Sequence, residues 1–334
     1  MQQIEIRHAA PEVFNTPVNA RMRVQNNDYE SMAVLKPSIF RTLCHPSYPQ
    51  ITKETDDYFL KHWNFPDQKS RKKFISADFS RFACLNYPLA LDDRISFACR
   101  IITLLFLTDD EIDYMSLEDA EAYNENLILI ARGLKQPDRT IPAEWMMWDL
   151  WEDIRGHDEK LARTVEDPCF LFMRAQVDKT RLSPGSLDNY FEFREKDIGT
   201  ALVCAIMTFS MGLHMTDTEL QLAQPVVSNF AKNLLCFNDI YSYEKELRVQ
   251  AEGKQEGGVI VSAVPMVAAL AKVGTESAKR ILWTMCREWE IHHHGLVAET
   301  LRLYPSQNLE SFFHSLEYQY SGNELWNHET GRYK

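Results

Sequence analysis

From about residue 52 onward the apolar positions of this chain follow helical spacing, and Val and Ile never alternate cleanly with polar neighbours. Helices are therefore predicted and strands have little support. Residues 92–108 (DDRISFACRIITLLFLT) are apolar nearly all round, the pattern of a helix buried on most sides. Residues 143–165, 187–212, 219–250 and 276–303 also read as helices. The stretch HPSYPQ, from His45 to Gln50, predicts a bend before a helix beginning near Thr52. Pro137 to Pro142 separates two helices, and Ser183-Pro184-Gly185 precedes another, with Ser186 placed to cap it. Gly253 to Gly258 (GKQEGG) reads as a loop. The first 35 or so residues are polar and carry Pro11 and Pro17, so a partly mobile extended segment is expected there. No repeat, low-complexity tract or long linker divides the rest, which predicts one all-α domain over residues 1–334.

Composition narrows the function classes. Glycine is 12 of 334 residues, about half the usual share of ~7%, which excludes collagen-like and low-complexity readings. At this length a core can enclose a sizeable cavity. Lys and Arg number 36 against 48 Asp and Glu, a net charge of −12. A nucleic-acid binder needs a basic face, so none is expected. An anionic small substrate is not excluded, because metal cations can lie between it and the carboxylates. The seven cysteines, Cys44, Cys84, Cys99, Cys169, Cys204, Cys236 and Cys286, are widely spaced without a C-x-x-C, so they read as reduced core thiols. The opening MQQIEIRHAAPEVF has no apolar signal region, and no stretch approaches the ~20 apolar residues of a membrane span. A cytoplasmic protein, monomer or homodimer, is expected.

Two polar clusters carry candidate chemistry. Thr103 to Thr108 runs directly into Asp109-Asp110-Glu111-Ile112-Asp113. On a helix Asp109 and Asp113 share one face and repel each other, a cost that grows with burial. Hard cations bridging the carboxylates would offset it, and Mg²⁺ completes its octahedron with water and substrate phosphates. A solvated acidic helix end is the plainer alternative. Far along the chain, Asn238, Ser242 and Glu246 follow i, i+4, i+8 spacing and project from one helix face. Amide, hydroxyl and carboxylate oxygens together suit Mg²⁺. Lys245, next to Glu246, can meet a phosphate oxygen as a point charge. Two such clusters, each following an apolar helix segment, suggest two helices holding metals across a cavity.

At this point the chain resembles the class I terpene synthases of microbial type. Asp109, Asp110 and Asp113 match the D-D-x-x-D motif, and Asn238, Asp239, Ser242 and Glu246 match N-D-x-x-S-x-x-x-E, with the motifs about 125 residues apart. Phe193-Arg194-Glu195-Lys196-Asp197-Ile198-Gly199 resembles the family's diphosphate-sensing arginine, followed by a linker aspartate and a helix break. The terminal Gly331-Arg332-Tyr333-Lys334 resembles its Arg-Tyr pair. The likeness spans roughly residues 75–334. One departure is Gly258-Val259-Ile260-Val261, where the family often has an Asn.

The resemblance implies a helical bundle around a central apolar cavity and a prenyl diphosphate substrate whose allylic C–O bond ionises. It assigns Asp109 to two of three Mg²⁺ ions (Mn²⁺ a possible substitute), with Asp113 a ligand or its partner. Asn238, Ser242 and Glu246 would hold the third ion. Arg194, Lys245, Arg332 and Tyr333 would donate to diphosphate, and Asp197 would act with Arg194. Aromatic faces can stabilise a carbocation, and Phe82, Phe106, Phe209 and Trp326 are the candidates. With 18 Phe, 13 Tyr and 7 Trp to place, ordinary core packing is as good a reading for each. His292-His293-His294 reads as solvent-exposed, since consecutive helical residues point apart. Farnesyl diphosphate and a sesquiterpene product are favoured over geranylgeranyl diphosphate. A chain-elongating prenyltransferase would need a second aspartate-rich motif, and a non-catalytic helical binding protein would need neither metal set.

Overall fold

The computed structural model describes residues 35–178, 185–251 and 260–334. The expectations for the residues before 35, for Ser183-Pro184 and for the Gly253–Gly258 loop lie outside them. Among the described residues there are helices and no strands. In chain order they are α1 (Tyr48–His62), α2 (Gln68–Ala77), α3 (Phe79–Asn86), α4 (Ile95–Ile112), α5 (Leu117–Ala131), α6 (Pro142–His157) and α7 (Glu159–Ala175). There follow α8 (Leu187–Asp197), α9 (Thr200–Met211), α10 (Asp217–Ala251), α11 (Ala263–Ala271), α12 (Thr275–Leu303), α13 (Gln307–Glu329) and a single 3-10 turn at Gly331–Tyr333.

The greasy stretch becomes α4, with Ile95, Ala98, Cys99, Ile102, Leu104 and Leu105 all buried. It packs against α3, α6, α1 and α9, while α10 packs against α12 and α13. Helix α1 starts at Tyr48 rather than near Thr52, because Pro49 fits the first turn, where its missing N–H costs nothing. The predicted helix over 143–165 is two helices. Asp158 is extended (φ −154°), and its carboxylate accepts from Leu161 N at 3.0 Å, ending α6 and capping α7. The predicted 187–212 helix is likewise split. Ser186 caps α8 by accepting from Asn189 N, and Gly199, at φ +75°, supplies the left-handed residue between α8 and α9. A side chain at 199 would also strike Phe172, its Cβ falling 2.9 Å from the ring. All seven cysteines are free, six of them buried and Cys44 half-buried.

The histidine tract corrects the sequence reading. His292 and His294 are exposed, but His293 points inward against Phe40 and Tyr320, with ring centroids 5.4 and 5.1 Å away. One residue in three consecutive helical positions faces the core, and that face was not distinguished. Burial, with His294 adding repulsion, pushes its pKa down to about 4. The unfolded chain therefore takes up this proton first as pH falls below about 6.5, so stability declines through the window between 6.5 and 4. At pH 5 the loss from this group amounts to about 2 kcal/mol. Glu290 on the same helix is a carboxyl group whose pKa burial raises, and His294 and Tyr320 also face the ring, so a difference measurement isolates the effect. Urea unfolding at pH 7 and pH 5 should show wild type losing about that much more than His293→Phe. Equal losses would mean that His293 gains a proton-stabilising partner on acidification.

Candidate active site

The acidic cluster occupies the last turn of α4, where helix carbonyls already present negative charge. Carboxylates there are locally unfavourable, and cations from the far end of the chain compensate. Arg332 donates from Nη2 to Asp109 Oδ2 at 3.1 Å and from Nη1 to Asp110 Oδ2 at 2.9 Å. Lys245 Nζ lies 3.4 Å from Asp110 Oδ1 and 3.7 Å from Asp113 Oδ2. Gln176, buried at the end of α7, donates to Asp109 Oδ1 at 2.7 Å. Loss of hydration and the neighbouring Asp113 outweigh the cations at Asp109 and push its pKa up to about 6. At Asp110 the same dehydration is overcome by Arg332 and Lys245, which hold its carboxyl well below the usual range.

The second cluster lies on α10. Ser242 Oγ donates to Glu246 Oε1 at 2.5 Å, and Val261 N donates to Glu246 Oε2 at 3.2 Å. Burial, only partly relieved by Ser242 and Arg194, pushes Glu246 up to about 7. Asn238 accepts from Arg194 Nη2 at 2.8 Å through its carbonyl oxygen and donates to the Tyr333 hydroxyl at 3.0 Å. Arg194 also pairs with Asp197 and reaches Asp239 Oδ1 at 3.3 Å. Asp239 is the one motif residue turned wholly inward. It accepts from the Tyr190 hydroxyl at 2.6 Å and Ala263 N at 2.8 Å, tying α10 to α8 and α11.

Both faces open on one cavity of about 190 Å³. Asp109, Asp113, Asn238, Ser242, Glu246 and Lys245 line it together with Arg194, Asp197, Arg332 and Tyr333. Its apolar wall includes Phe82, Phe106 and Trp326. These rings form one packed group. Phe106 stacks on Phe79 at 4.5 Å and on Trp326 at 5.5 Å, and Phe82 meets Trp326 edge-on at 5.1 Å. The Arg332 guanidinium sits 4.9 Å from the Phe106 centroid, joining the charged and aromatic halves.

Phe209 is placed elsewhere. It packs against Phe97 at 5.9 Å and under the Arg94 guanidinium at 5.2 Å, and it does not line the cavity. Helix α9 is apolar on every side, so periodicity could not separate its cavity face, which is Leu202 and Val203, from its core face. Sequence reasoning also passed over Gln176, Phe172 and Asn323, all of which line the cavity. No motif marks them: Gln176 caps the end of α7, Phe172 lies within that helix, and Asn323 belongs to a buried amide face of α13.

The donor set fits divalent cations. Asp109, Asp110, Asp113 and Glu246 stand with Asp197 and Asp239 against four cationic side chains, Arg194, Lys245, Arg332 and Lys73. That excess of carboxylate helps raise Asp109. Among the described residues no three acidic, histidine or cysteine side chains converge into a closed cage. Amide and hydroxyl oxygens stand beside the carboxylates, a mixture that suits a cation keeping waters and substrate phosphates in its shell.

The family model described as terpene synthase family 2, C-terminal metal binding, matches residues 100–290. Aristolochene synthase of Aspergillus terreus is 51% identical over 298 residues, covering 89% of this chain and 93% of that protein. The (+)-aristolochene synthase of Penicillium expansum is 49% identical, covering 90% and 91%. The crystal structure of aristolochene synthase from Penicillium roqueforti superposes with a TM-score of 0.79 at 47% identity, covering 89% of this chain and all of that one. The motifs, the cavity they share and these relatives lead to one assignment: the chain belongs to the terpene synthase family, enzymes that use divalent metal.

Proposed function

We infer that this chain ionises farnesyl diphosphate, cyclises it to a sesquiterpene and releases diphosphate, with aristolochene as the product. The observation that carries this reading is the meeting of two oxygen-rich helix faces over one cavity whose other wall is packed aromatic rings. Relatives at about half identity, named for aristolochene, support the substrate and the product.

Asp109, Asp113, Asn238, Ser242 and Glu246 would hold three Mg²⁺ ions, for which Mn²⁺ can substitute. When bound, these cations neutralise charge developing on the leaving diphosphate. Arg194 and Arg332 offer planar forks that bind phosphate oxygens bidentately, Lys245 adds a point charge, and the Tyr333 hydroxyl donates once. Asp197 holds the Arg194 fork from behind. The allylic cation left in the cavity would lie against Phe82, Phe106 and Trp326. Aromatic faces stabilise positive charge by about 2 kcal/mol where water is absent. Leu202, Val203 and Leu234 complete the apolar wall.

Incubation of the purified chain with Mg²⁺ and C10, C15 or C20 prenyl diphosphates, followed by analysis of volatiles, tests the reading. A sesquiterpene from farnesyl diphosphate, lost with EDTA, is expected. Turnover of the C20 substrate alone would make it a diterpene synthase instead. Phe106→Leu, which keeps most of the volume but no π face, is expected to divert a major share of product to earlier-terminated hydrocarbons. An unchanged profile would return that ring to ordinary packing.

A further inference from the structure

Arg332 and Tyr333 lie beyond the end of α13, on a single turn that has no helix of its own to fix it. Its side chains reach α4 and α10, and Arg248 Nη2 donates to the Tyr333 carbonyl at 3.3 Å, but its backbone is seated chiefly on the corner where α2 meets α3. The Trp326 indole Nε1 donates to Ala77 O at 3.1 Å and to Asp78 O at 3.0 Å. Thr330 Oγ1 donates to Ala77 O at 2.8 Å and accepts from Arg332 N at 3.1 Å, so one hydroxyl joins the corner to the arginine's own peptide. Gly331 lies so close to Ser76 that a Cβ there would fall 2.6 Å from its Oγ and 2.8 Å from its backbone oxygen. The hydroxyl can turn away but the carbonyl cannot. The corner itself is braced. Asp78, at φ +50°, ends α2 and caps α3 by accepting from Arg81 N at 3.2 Å, and the Tyr48 hydroxyl donates to its second oxygen at 2.6 Å. Arg81 pairs in turn with Glu329, the last residue of α13.

We propose that Thr330 and Gly331, seated on the Ser76–Asp78 corner, are positioning residues that place Arg332 and Tyr333 for diphosphate. This rests on the reading above that Arg332 and Tyr333 contact that group. Neither Thr330 nor Gly331 lines the cavity. Their action is through the turn they hold, and a displacement of about 1 Å in such a donor is enough to cost up to a hundredfold. Valine copies the shape of Thr330 but supplies neither hydrogen bond, whereas serine supplies both. Alanine at 331 forces the turn off the carbonyl of Ser76.

The full chain is tested as Thr330→Val, Thr330→Ser and Gly331→Ala, with Arg332→Ala as reference. Calorimetry measures binding of inorganic diphosphate in excess Mg²⁺, steady-state kinetics uses farnesyl diphosphate, and thermal unfolding checks the fold. Thr330→Val and Gly331→Ala should each weaken diphosphate binding about tenfold and lower kcat/KM at least as much, while Thr330→Ser stays near wild type. If both variants bind diphosphate as wild type does while Arg332→Ala loses it, the tail seats itself without the corner and the proposal falls alone. If Arg332→Ala binds undiminished, the reading of Arg332 falls and takes the proposal with it. Serine behaving like valine also overturns it, because the hydroxyl then does nothing. Should Thr330→Val unfold, Gly331→Ala decides, and wild-type affinity in that variant overturns the proposal.

Discussion

Asp109→Asn is expected to yield a folded protein whose kcat is lower by a factor on the order of 10³. The two effects have one origin. Asp109 sits at the negative end of α4 beside Asp110 and Asp113, and loss of hydration together with Asp113 lifts its pKa to about 6. A carboxylate held in its charged form at such a place works against stability. The amide keeps the shape and removes the charge. Gln176 loses nothing by donating to an amide oxygen, and Arg332 keeps Asp110 as its partner. The melting temperature should therefore hold or rise by a few degrees while turnover collapses, the direction expected where a site is built at some cost to the fold. Diphosphate release and thermal unfolding on the same sample measure both. Turnover near wild type would remove Asp109 from the metal set, and a large fall in melting temperature would make its charge structural.

The sequence made the two motif helices legible because each motif is local. Three or four residues on one long helix fix their own face, and α4 and α10 run through both clusters. The Arg-Tyr pair and Arg194 needed the family resemblance, since nothing in their own neighbourhoods says that residues 222 and 223 positions apart will pair, as Arg332 does with Asp110 and Asp109. Asp110 received no role beyond its place in the motif, yet it is the main anchor for Lys245 and Arg332. Helix α13 had no clear signature because Gln319, Asn323 and Asn327 recur on its buried face and blur the apolar stripe. The opposite problem hid the cavity face of α9, where every side is apolar and Phe209 is indistinguishable from Val203. Breaks were missed where a single aspartate ends one helix and starts the next, as at Asp158. Hydrophobic spacing reports a face along one helix. It does not report which neighbour that face will meet.

Arg194→Met is expected to cost about 3–5 kcal/mol of stability and to abolish measurable turnover. Arg194 is buried, and its guanidinium donates to Asp197, to Asn238 Oδ1 at 2.8 Å and to Asp239 Oδ1 at 3.3 Å. Burial alone would lower its pKa, but Asp197 and Asp239 more than reverse this and keep it charged. Asp197 and Asp239 are as buried as the arginine, so methionine leaves two carboxylates facing each other without a cation. Lysine restores the charge and three donors but not the planar fork that spans partners on two helices. Arg194→Lys should recover most of the stability while turnover remains down by about 10²-fold, because a point charge does not orient diphosphate. Adding Asp197→Asn to Arg194→Met should recover part of the stability and none of the turnover, which separates the arginine's structural task from its chemical one. Urea unfolding and kcat for the four proteins give the answer. If Arg194→Lys turns over like wild type, the guanidinium only clamps α8 to α10, and the diphosphate must be sensed by other donors in the cavity.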